Sequence, residues 1–460
     1  MATYRLAAVI KNSASSGSAA DEFLVVRQAP PPPLPEEEYQ SYVDSDLWDL
    51  PWAPLKTLQG DVVSDAVVDG ADSISDKLDL TRFDVDSALN QVVMQVGLDT
   101  ATGGRWVLLK YVEEAEFGPE PIINTLFVLG TLEIKWGHLQ ESCRWISNES
   151  SLKLLLDVKP CAARLGPFVV TGLFPCSAMS SKSKAASMLH CQLAEVVTSL
   201  PRKLVVFITH HHYDHVDGLL VVQKYNPDAI LLAHERTMNR IDKGNWPLGY
   251  ICISGSEKIC IGGQQLEVIS APGHTDGHLA VLHASTNSLI VGDHCVGHGS
   301  AVLDSTAGGN MKDYFDTTYK FLDLSPHVLI PMHGRINLWP KRMLCQYLKH
   351  RRDRESSILA SIEDGASTLF DIVAKIYANL DVNLWLPASS NVRLHVDHLA
   401  YQQKLPKDFP MQKFQSSCTL PFISRWTWKY IINRRPSVVL VAIGFGVLAI
   451  LFGMKKKLCA

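Results

Sequence analysis

A layered α/β fold is predicted for this 460-residue sequence by two observations. Between Leu204 and Ile330, apolar runs of strand length (LVVFI, QLEVISAP, HLAVLHAS, SLIVGD, HVLIPMH) alternate with helical and turn patterns. Those runs also lead, at their C-terminal edges, into histidine or aspartate, and strand ends are where layered folds build sites. The length leaves room for two to four domains of roughly 100–200 residues and for a core that needs no disulfide support. With 43 Lys+Arg against 47 Asp+Glu the net charge is −4, which excludes a global basic field, so a nucleic-acid partner would need a local patch. Ten cysteines without a CxxC pair fit reduced thiols in a cytosolic setting better than a disulfide framework. The stretch from Met1 to Ala20 carries neither a secretory nor a transit pattern.

In chain order, Phe23–Arg27 (FLVVR) reads as a strand, and the Pro30–Pro33 run with Glu36–Glu38 as a loop inside a domain. Val85 to Leu98 has helical apolar spacing, and Trp106–Leu109 returns to strand character. FLVVRQ, DLWDLP and the helix ending in Val96-Gly97-Leu98 resemble a Nudix fold. Where the Nudix box would carry acids, this chain has Asn90-Gln91 and Met94-Gln95, so the resemblance implies a Nudix-like domain without Nudix chemistry. From Phe127 to Pro201 the signals are mixed, with a polar stretch Ser177–Ser187 and a helical Leu189–Leu200.

The concentration of chemistry is Thr209-His210-His211-His212-Tyr213-Asp214-His215, directly after the LVVFI strand. Imidazoles this close repel when protonated, so a metal is the economical explanation. His210 and His212 reach one ion from a tight turn, while Asp214 and His215 point past it toward a second. Further candidates recur at strand ends: His274 in PGHTDGH, Asp293 in VGDH and His333 in PMHG. Imidazole and carboxylate without thiolate suit Zn²⁺, with Mn²⁺ or Fe²⁺ as alternatives.

These motifs resemble those of the metallo-β-lactamase-fold hydrolases, THHHYDH matching the family's T-H-x-H-x-D-H, PGHT its third motif, GD its fourth and the PMHG histidine its fifth. The resemblance implies an αββα sandwich and two Zn²⁺ ions per chain. It places His210, His212 and His274 on the first ion, Asp214, His215 and His333 on the second, and Asp293 between them, with a metal-held hydroxide as nucleophile. Asp214 orients that nucleophile or takes its proton, and is the expected catalytic residue. His211, His278, His294 and His298 match no ligand position, and His278 and His294 are expected to support ligands from behind. Two departures stand out: Val216-Asp217-Gly218 replaces the family's Gly-Gly, and no D-P-G turn precedes the histidine motif, Asp157 being the nearest substitute. The sandwich is therefore expected to lack its first strands.

After His333, Met343–Glu363 reads as a basic amphipathic helix, followed by helices near Thr368–Leu380 and Val392–Gln403. This resembles the winged-helix-like appendix of the β-lactamase-like protein 2 subgroup, whose members are single-strand endoribonucleases. Six Lys/Arg against two acids between Lys341 and Ser357 offer a local patch for a phosphate backbone. Ser437–Met454 is a charge-free apolar run of 18 residues, flanked by Arg434-Arg435 and Lys455–Lys457. As a helix it would span roughly 27 Å, enough for a thin bilayer.

The expected domains are 1–125, Nudix-like without the catalytic acids; 126–340, metallo-β-lactamase; 341–410, winged-helix-like; 411–435, linker; and 436–454, a transmembrane tail anchor. The expected function is binuclear zinc hydrolysis of phosphodiesters in single-stranded RNA. The alternatives are thioester hydrolysis of the glyoxalase II type, or a catalytically impaired membrane-anchored binding module. The expected partners are a membrane through the C-terminal helix and single-stranded RNA, otherwise a small ester or thioester. The expected location is a membrane, with the catalytic domain facing the cytosol, on an organelle outer membrane or the peroxisome.

Overall fold

The computed structural model describes residues 3–12, 22–58, 68–69, 80–97, 105–115, 122–132, 141–147, 204–241, 246, 249–261, 263–296, 300–333, 337 and 339–434. The chain divides into two compact units. One comprises Met1–Pro272, Asp276–Ala301 and Tyr314–Lys349; the other comprises Gly273–Thr275, Val302–Asp313 and the chain from His350 onward. Asp157, His298 and the 168–200 stretch lie outside the described residues, as does any account of missing first strands.

The first unit opens with a mixed sheet. Its strands are β1 (Thr3–Asn12), β2 (Glu22–Gln28), β3 (Leu47–Asp49), β4 (Trp52–Pro54), β5 (Val68–Asp69), β6 (Arg105–Ala115), β7 (Ile122–Leu132) and β8 (Cys143–Ser147). The order is β3-β2-β1-β7-β6-β5, with β4 on β1 and β8 on β2, so the sheet runs well past residue 125. FLVVRQ falls in β2, and Leu47–Asp49 of DLWDLP forms β3. Helix α1 (Val85–Gln95) starts where Asp84 accepts the Ser87 N–H at 3.0 Å, a side-chain cap for an otherwise unpaired donor. Its Val85, Ala88, Leu89 and Val92 join Leu6, Ala8, Leu24, Leu126 and Val128 in one core. On the same helix Gln91 Nε2 donates to Ser87 Oγ and Gln95 Oε1 accepts the Trp52 N–H, so amides make local hydrogen bonds where a Nudix box has acids.

The same unit holds two further sheets. Strands β9 (Val205–Phe207), β10 (Ile230–Ala233) and β11 (Tyr250–Cys252) pair in parallel, in the order β11-β10-β9. Strands β12 (Lys258–Ile261), β13 (Gln264–Ser270), β14 (Leu279–His283), β15 (Ser288–Gly292) and β16 (Val328–Pro331) lie in sequential order; only β15 and β16 run parallel. Every position of β14 and β15 is buried, as in strands covered on both faces, which is why they read as unbroken apolar runs. Between the strands lie α2 (Tyr213–Val216), α3 (Leu219–Tyr225), α4 (Glu235–Met238) and α5 (Met311–Asp323).

Helix α6 (Pro340–Glu363) begins in the first unit, where the loop at residues 30–44 binds it. Asp44 is buried and accepts the N–H groups of Lys341 (2.9 Å) and Arg342 (3.0 Å), capping the helix from 297 residues away. Arg342 donates to the Pro32 carbonyl, Lys341 Nζ to the Val43 carbonyl, Lys349 pairs with Glu36 at 2.6 Å, and Tyr319 donates to Glu38. The proline run and the acids after it therefore hold down the basic end of this helix.

In the second unit, the rest of α6 packs with α7 (Leu369–Ile376), α8 (Trp385–Tyr401), α9 (Met411–Ser417) and α10 (Leu420–Arg434). Ile358, Leu369, Ile372, Val392, Val396, Leu399, Phe414 and Phe422 form its core. Residues 411–435, expected as a linker, thus carry two helices whose phenylalanines are buried in this core. The expected transmembrane helix is corrected: among the described residues no helix is long and apolar enough to cross a membrane, and 436–454 itself lies outside them.

This core also encloses charge. Glu355 is 6% exposed, and its Oε1 lies 2.6 Å from His398 Nδ1 and 3.4 Å from His395 Nδ1. Burial would raise the Glu355 carboxyl, but the two imidazole hydrogen bonds outweigh it and hold it at about 2; burial pushes His395 down to about 4. Both shifts have one sign. Below about 6.5 for His395 and 4.5 for Glu355, the unfolded chain binds protons that the folded unit refuses, so stability falls with pH through these windows. Hydrogen exchange of α6 and α8 amides between pH 7 and 4 is expected to lose protection progressively, and Glu355→Gln to flatten the lower part of that profile.

Candidate metal centre

Chain direction changes at the end of each ligand-bearing strand. After β9 the backbone runs extended through His212 (φ −60°, ψ 147°) and then turns into α2, so His210 and His212 precede a helix whose first turn carries Asp214 and His215. The turn after β13 carries His274, Asp293 follows β15, and His333 follows β16. At Asp293 the β15–β16 register shifts between Ile290 and Gly292, and a bulge of this kind re-aims the residue that follows.

These residues meet in two groups. His210, His212, His274 and Asp293 each present a ligand atom, all within 4.8 Å of one another; so do Asp214, His215, Asp293 and His333. Asp293 is common to both. His210 Nε2 lies 3.0 Å from His212 Nδ1, and His333 Nε2 lies 3.3 Å from His215 Nε2. Asp293 Oδ2 is 3.2 Å from His215 Nε2, 3.4 Å from His333 Nε2 and 3.8 Å from His210 Nε2. Imidazole nitrogens and carboxylate oxygens converging on common points form the donor set that divalent cations take. Every residue expected to bind metal is therefore in one or both groups.

The groups differ in depth. His210, His274 and Asp293 are buried, whereas Asp214 and His333 keep side-chain exposures of 31% and 30%, so the second group forms the open side. Burial would raise both carboxyls. In Asp214 the hydrogen bond from His333 and the charge of His215 outweigh it; in Asp293 the hydrogen bonds from His215 and His333 do so, holding it well below the usual range. Reciprocally, Asp214 at 3.0 Å and then Asp293 push His333 up to about 10. Both carboxylates stay ionised at neutral pH.

Around the groups stand supports that sequence reading did not assign. Thr209 Oγ1 lies 3.0 Å from His210 Nδ1, holding that ring from behind. Thr237 Oγ1 donates to the Gly277 carbonyl, Arg240 pairs with Asp276 at 3.0 Å, and Thr317 Oγ1 donates to the Pro272 carbonyl, so the stretch on either side of His274 is tied at three points. Only the threonine of the T-H-x-H pattern carried a local signal. His294 stacks on Tyr314 at 4.2 Å with Nε2 2.8 Å from Thr318 Oγ1, and is in neither group. Asp217 ends α2 as its C-cap and is likewise in neither.

The metallo-β-lactamase superfamily model matches residues 181–333, and the β-lactamase-associated winged-helix model matches 368–408. The chain is 27% identical to the β-lactamase-like protein 2 homolog of Drosophila melanogaster over 44% of its own length and 69% of that protein's. It is 26% identical to the homolog of the same name in Caenorhabditis elegans, over 41% of this chain and 62% of that one. The alignments thus span about two thirds of these curated relatives. A metallo-β-lactamase family protein of Thermus thermophilus is similar with a TM-score of 0.40 at 18% identity, covering 48% of this chain and 82% of that one.

Proposed function

We propose, for a chain whose residues 181–333 belong to the metallo-β-lactamase superfamily of metal-dependent hydrolases, that it is a two-zinc hydrolase of phosphodiester bonds in single-stranded RNA. The observation that carries the two-ion reading is Asp293, shared by two otherwise separate ligand groups. Imidazole and carboxylate donors without thiolate suit zinc. When bound, a pair of divalent cations supplies Lewis acidity that acidifies water and stabilises both the attacking and the leaving oxygen of a phosphoryl or acyl centre.

The protein's own side chains do the remainder. His210, His212 and His274 would hold the deeper ion, Asp214, His215 and His333 the open one, and Asp293 would serve both. Asp214, ionised and half-exposed at the open side, takes the proton of the attacking water. The RNA assignment is supported by the resemblance to the β-lactamase-like protein 2 subgroup and by the winged-helix match after the hydrolase domain.

One observation favours the thioester alternative. Of the basic residues offered as a phosphate patch, Lys341, Arg342 and Lys349 are engaged by residues 32–43, Arg351 is buried, and Arg354 lies 4.4 Å over the Tyr377 ring. A small acyl substrate would not need that patch.

Full-length protein loaded with zinc should carry two ions and cleave end-labelled single-stranded RNA. In Asp214→Asn, turnover is expected to fall about 10²–10⁴-fold, the usual contribution of a positioned acid or base. Intact RNA beside a hydrolysed acyl-thioester would move the assignment to the second reading. Less than one ion per folded chain would overturn the two-ion centre.

A further inference from the structure

Resting on the metal centre described above, we infer that His278 is the positioning residue for Asp293, holding the shared carboxylate in place through the backbone rather than through the metal. His278 is 1% exposed. Its Nε2 accepts the Asp293 N–H at 3.2 Å, so that nitrogen carries no proton and the ring is neutral with its hydrogen on Nδ1. A ring that accepts there does not also bind a cation through the same lone pair, and His278 belongs to neither ligand group. Its ring centroid nevertheless stands 5.2 Å from that of His210.

Three ligand-bearing loops converge on His278 and its neighbour Leu279. The Leu279 N–H donates to the Thr209 carbonyl at 2.9 Å, joining it to the start of the histidine motif. The His278 carbonyl accepts the Ala271 N–H at 3.0 Å, closing the loop that carries His274. Its side chain reaches the third loop at Asp293.

Gly292 makes that last contact possible. Its φ of +57° is a conformation that side chains disfavour, and a Cβ there would stand 2.5 Å from His278 Nε2 and 3.2 Å from Thr209 Cβ. The space a side chain would fill is occupied by the imidazole. The bulge between Ile290 and Gly292 then turns the Asp293 N–H toward His278 while the carboxylate faces His215 and His333. One peptide thus has its donor fixed on one side and its side chain fixed on the other, the outer support that metal-binding carboxylates require.

The test is metal affinity of the full-length chain, measured by titrating metal-free protein with zinc against a chromophoric chelator, together with the melting temperature of the metal-free form. Glutamine at 278 keeps an acceptor near the Nε2 position; leucine and phenylalanine supply apolar bulk without one. Wild type and His278→Gln should bind two ions alike. His278→Leu or His278→Phe should bind zinc about 10–100-fold more weakly, the usual loss when an outer partner of a ligand is removed. Phenylalanine supplies the acceptor-free arm if the leucine variant does not fold. Equal affinities in wild type, glutamine and acceptor-free variants would overturn the inference and leave the metal centre standing. Equal losses in the glutamine and acceptor-free variants would overturn it too, because packing rather than the acceptor would then matter. A wild-type chain that binds no zinc would overturn the metal centre itself, and this inference with it.

Discussion

Asp293→Ala should empty both metal positions and lower hydrolysis on the order of 10³-fold or more, since the cations supply several kcal/mol of transition-state stabilisation and each 1.36 kcal/mol is tenfold in rate. Asp293 is the one side chain in both groups, and its Oδ2 faces nitrogens of His210, His215 and His333 between 3.2 and 3.8 Å. Removing it takes the only carboxylate from the deeper group and leaves the open group with Asp214 alone against His215 and His333, so both positions lose charge balance. His274→Ala is the contrast, because His274 belongs to the deeper group alone. It should weaken one ion and spare more of the other. Metal per chain by mass spectrometry, measured beside turnover, separates the two, and a full equivalent retained by Asp293→Ala would contradict a role for Asp293 in both groups.

Arg351→Glu should strongly destabilise the second unit rather than merely weaken binding to an anionic polymer. Arg351 is 2% exposed, and its NH1 donates to Asn391 Oδ1 at 3.3 Å. Reversing it would bury a second carboxylate in the unit that already encloses Glu355, while removing a guanidinium from it. Breaking a buried charged arrangement costs about 3–5 kcal/mol, against a typical total of about 5–15 kcal/mol for a domain. Arg352 is exposed, and Arg352→Glu should change stability by no more than about 0.5 kcal/mol. Urea unfolding of the two variants at pH 7 provides the comparison. An Arg351→Glu protein as stable as Arg352→Glu would show that the guanidinium is not confined. Charge reversal at Arg352, and not at Arg351, is therefore the clean probe of whether this helix contacts RNA.

The same helix shows where sequence patterns stop being informative. Lys349-His350-Arg351-Arg352-Asp353-Arg354 reads as a solvated basic face, yet Arg351 and Glu355 are buried together on one side of it. Their partners, Asn391, His395 and His398, stand 40 or more residues further on, and no local periodicity announces such buried polar contacts. The metal ligands were legible for the opposite reason. His210, His212, Asp214 and His215 fall within six residues, and the chemistry that joins them is encoded in residue type and in position at a strand end.

His278 lies between these cases. The motif PGHTDGH displayed it, but only the folded β14–β15 hairpin shows that it accepts the N–H of a residue 15 positions later. The helices at 411–417 and 420–434 were missed because Pro410, Ser416, Ser417 and Pro421 weaken the local signal, while their burial depends on Phe414 and Phe422 meeting a distant core. The apolar run after Arg435 lies outside the described residues. Hydropathy alone suggested a transmembrane fold element, and no helix among the described residues has that character.

The cap that Asp44 places on α6 has a consequence for synthesis on the ribosome. At about 5–20 residues per second, the roughly 300 residues separating Asp44 from Lys341 and Arg342 take on the order of 15–60 s to emerge. During that interval the nascent N-terminal segment can pair strands but cannot settle the Asp44 carboxylate, because its two donors do not yet exist. Burial without them is unfavourable, and burial already pushes that carboxyl upward in the finished protein despite both N–H donors. Vectorial folding therefore leaves the proline-rich loop unsecured until the first turn of α6 has emerged.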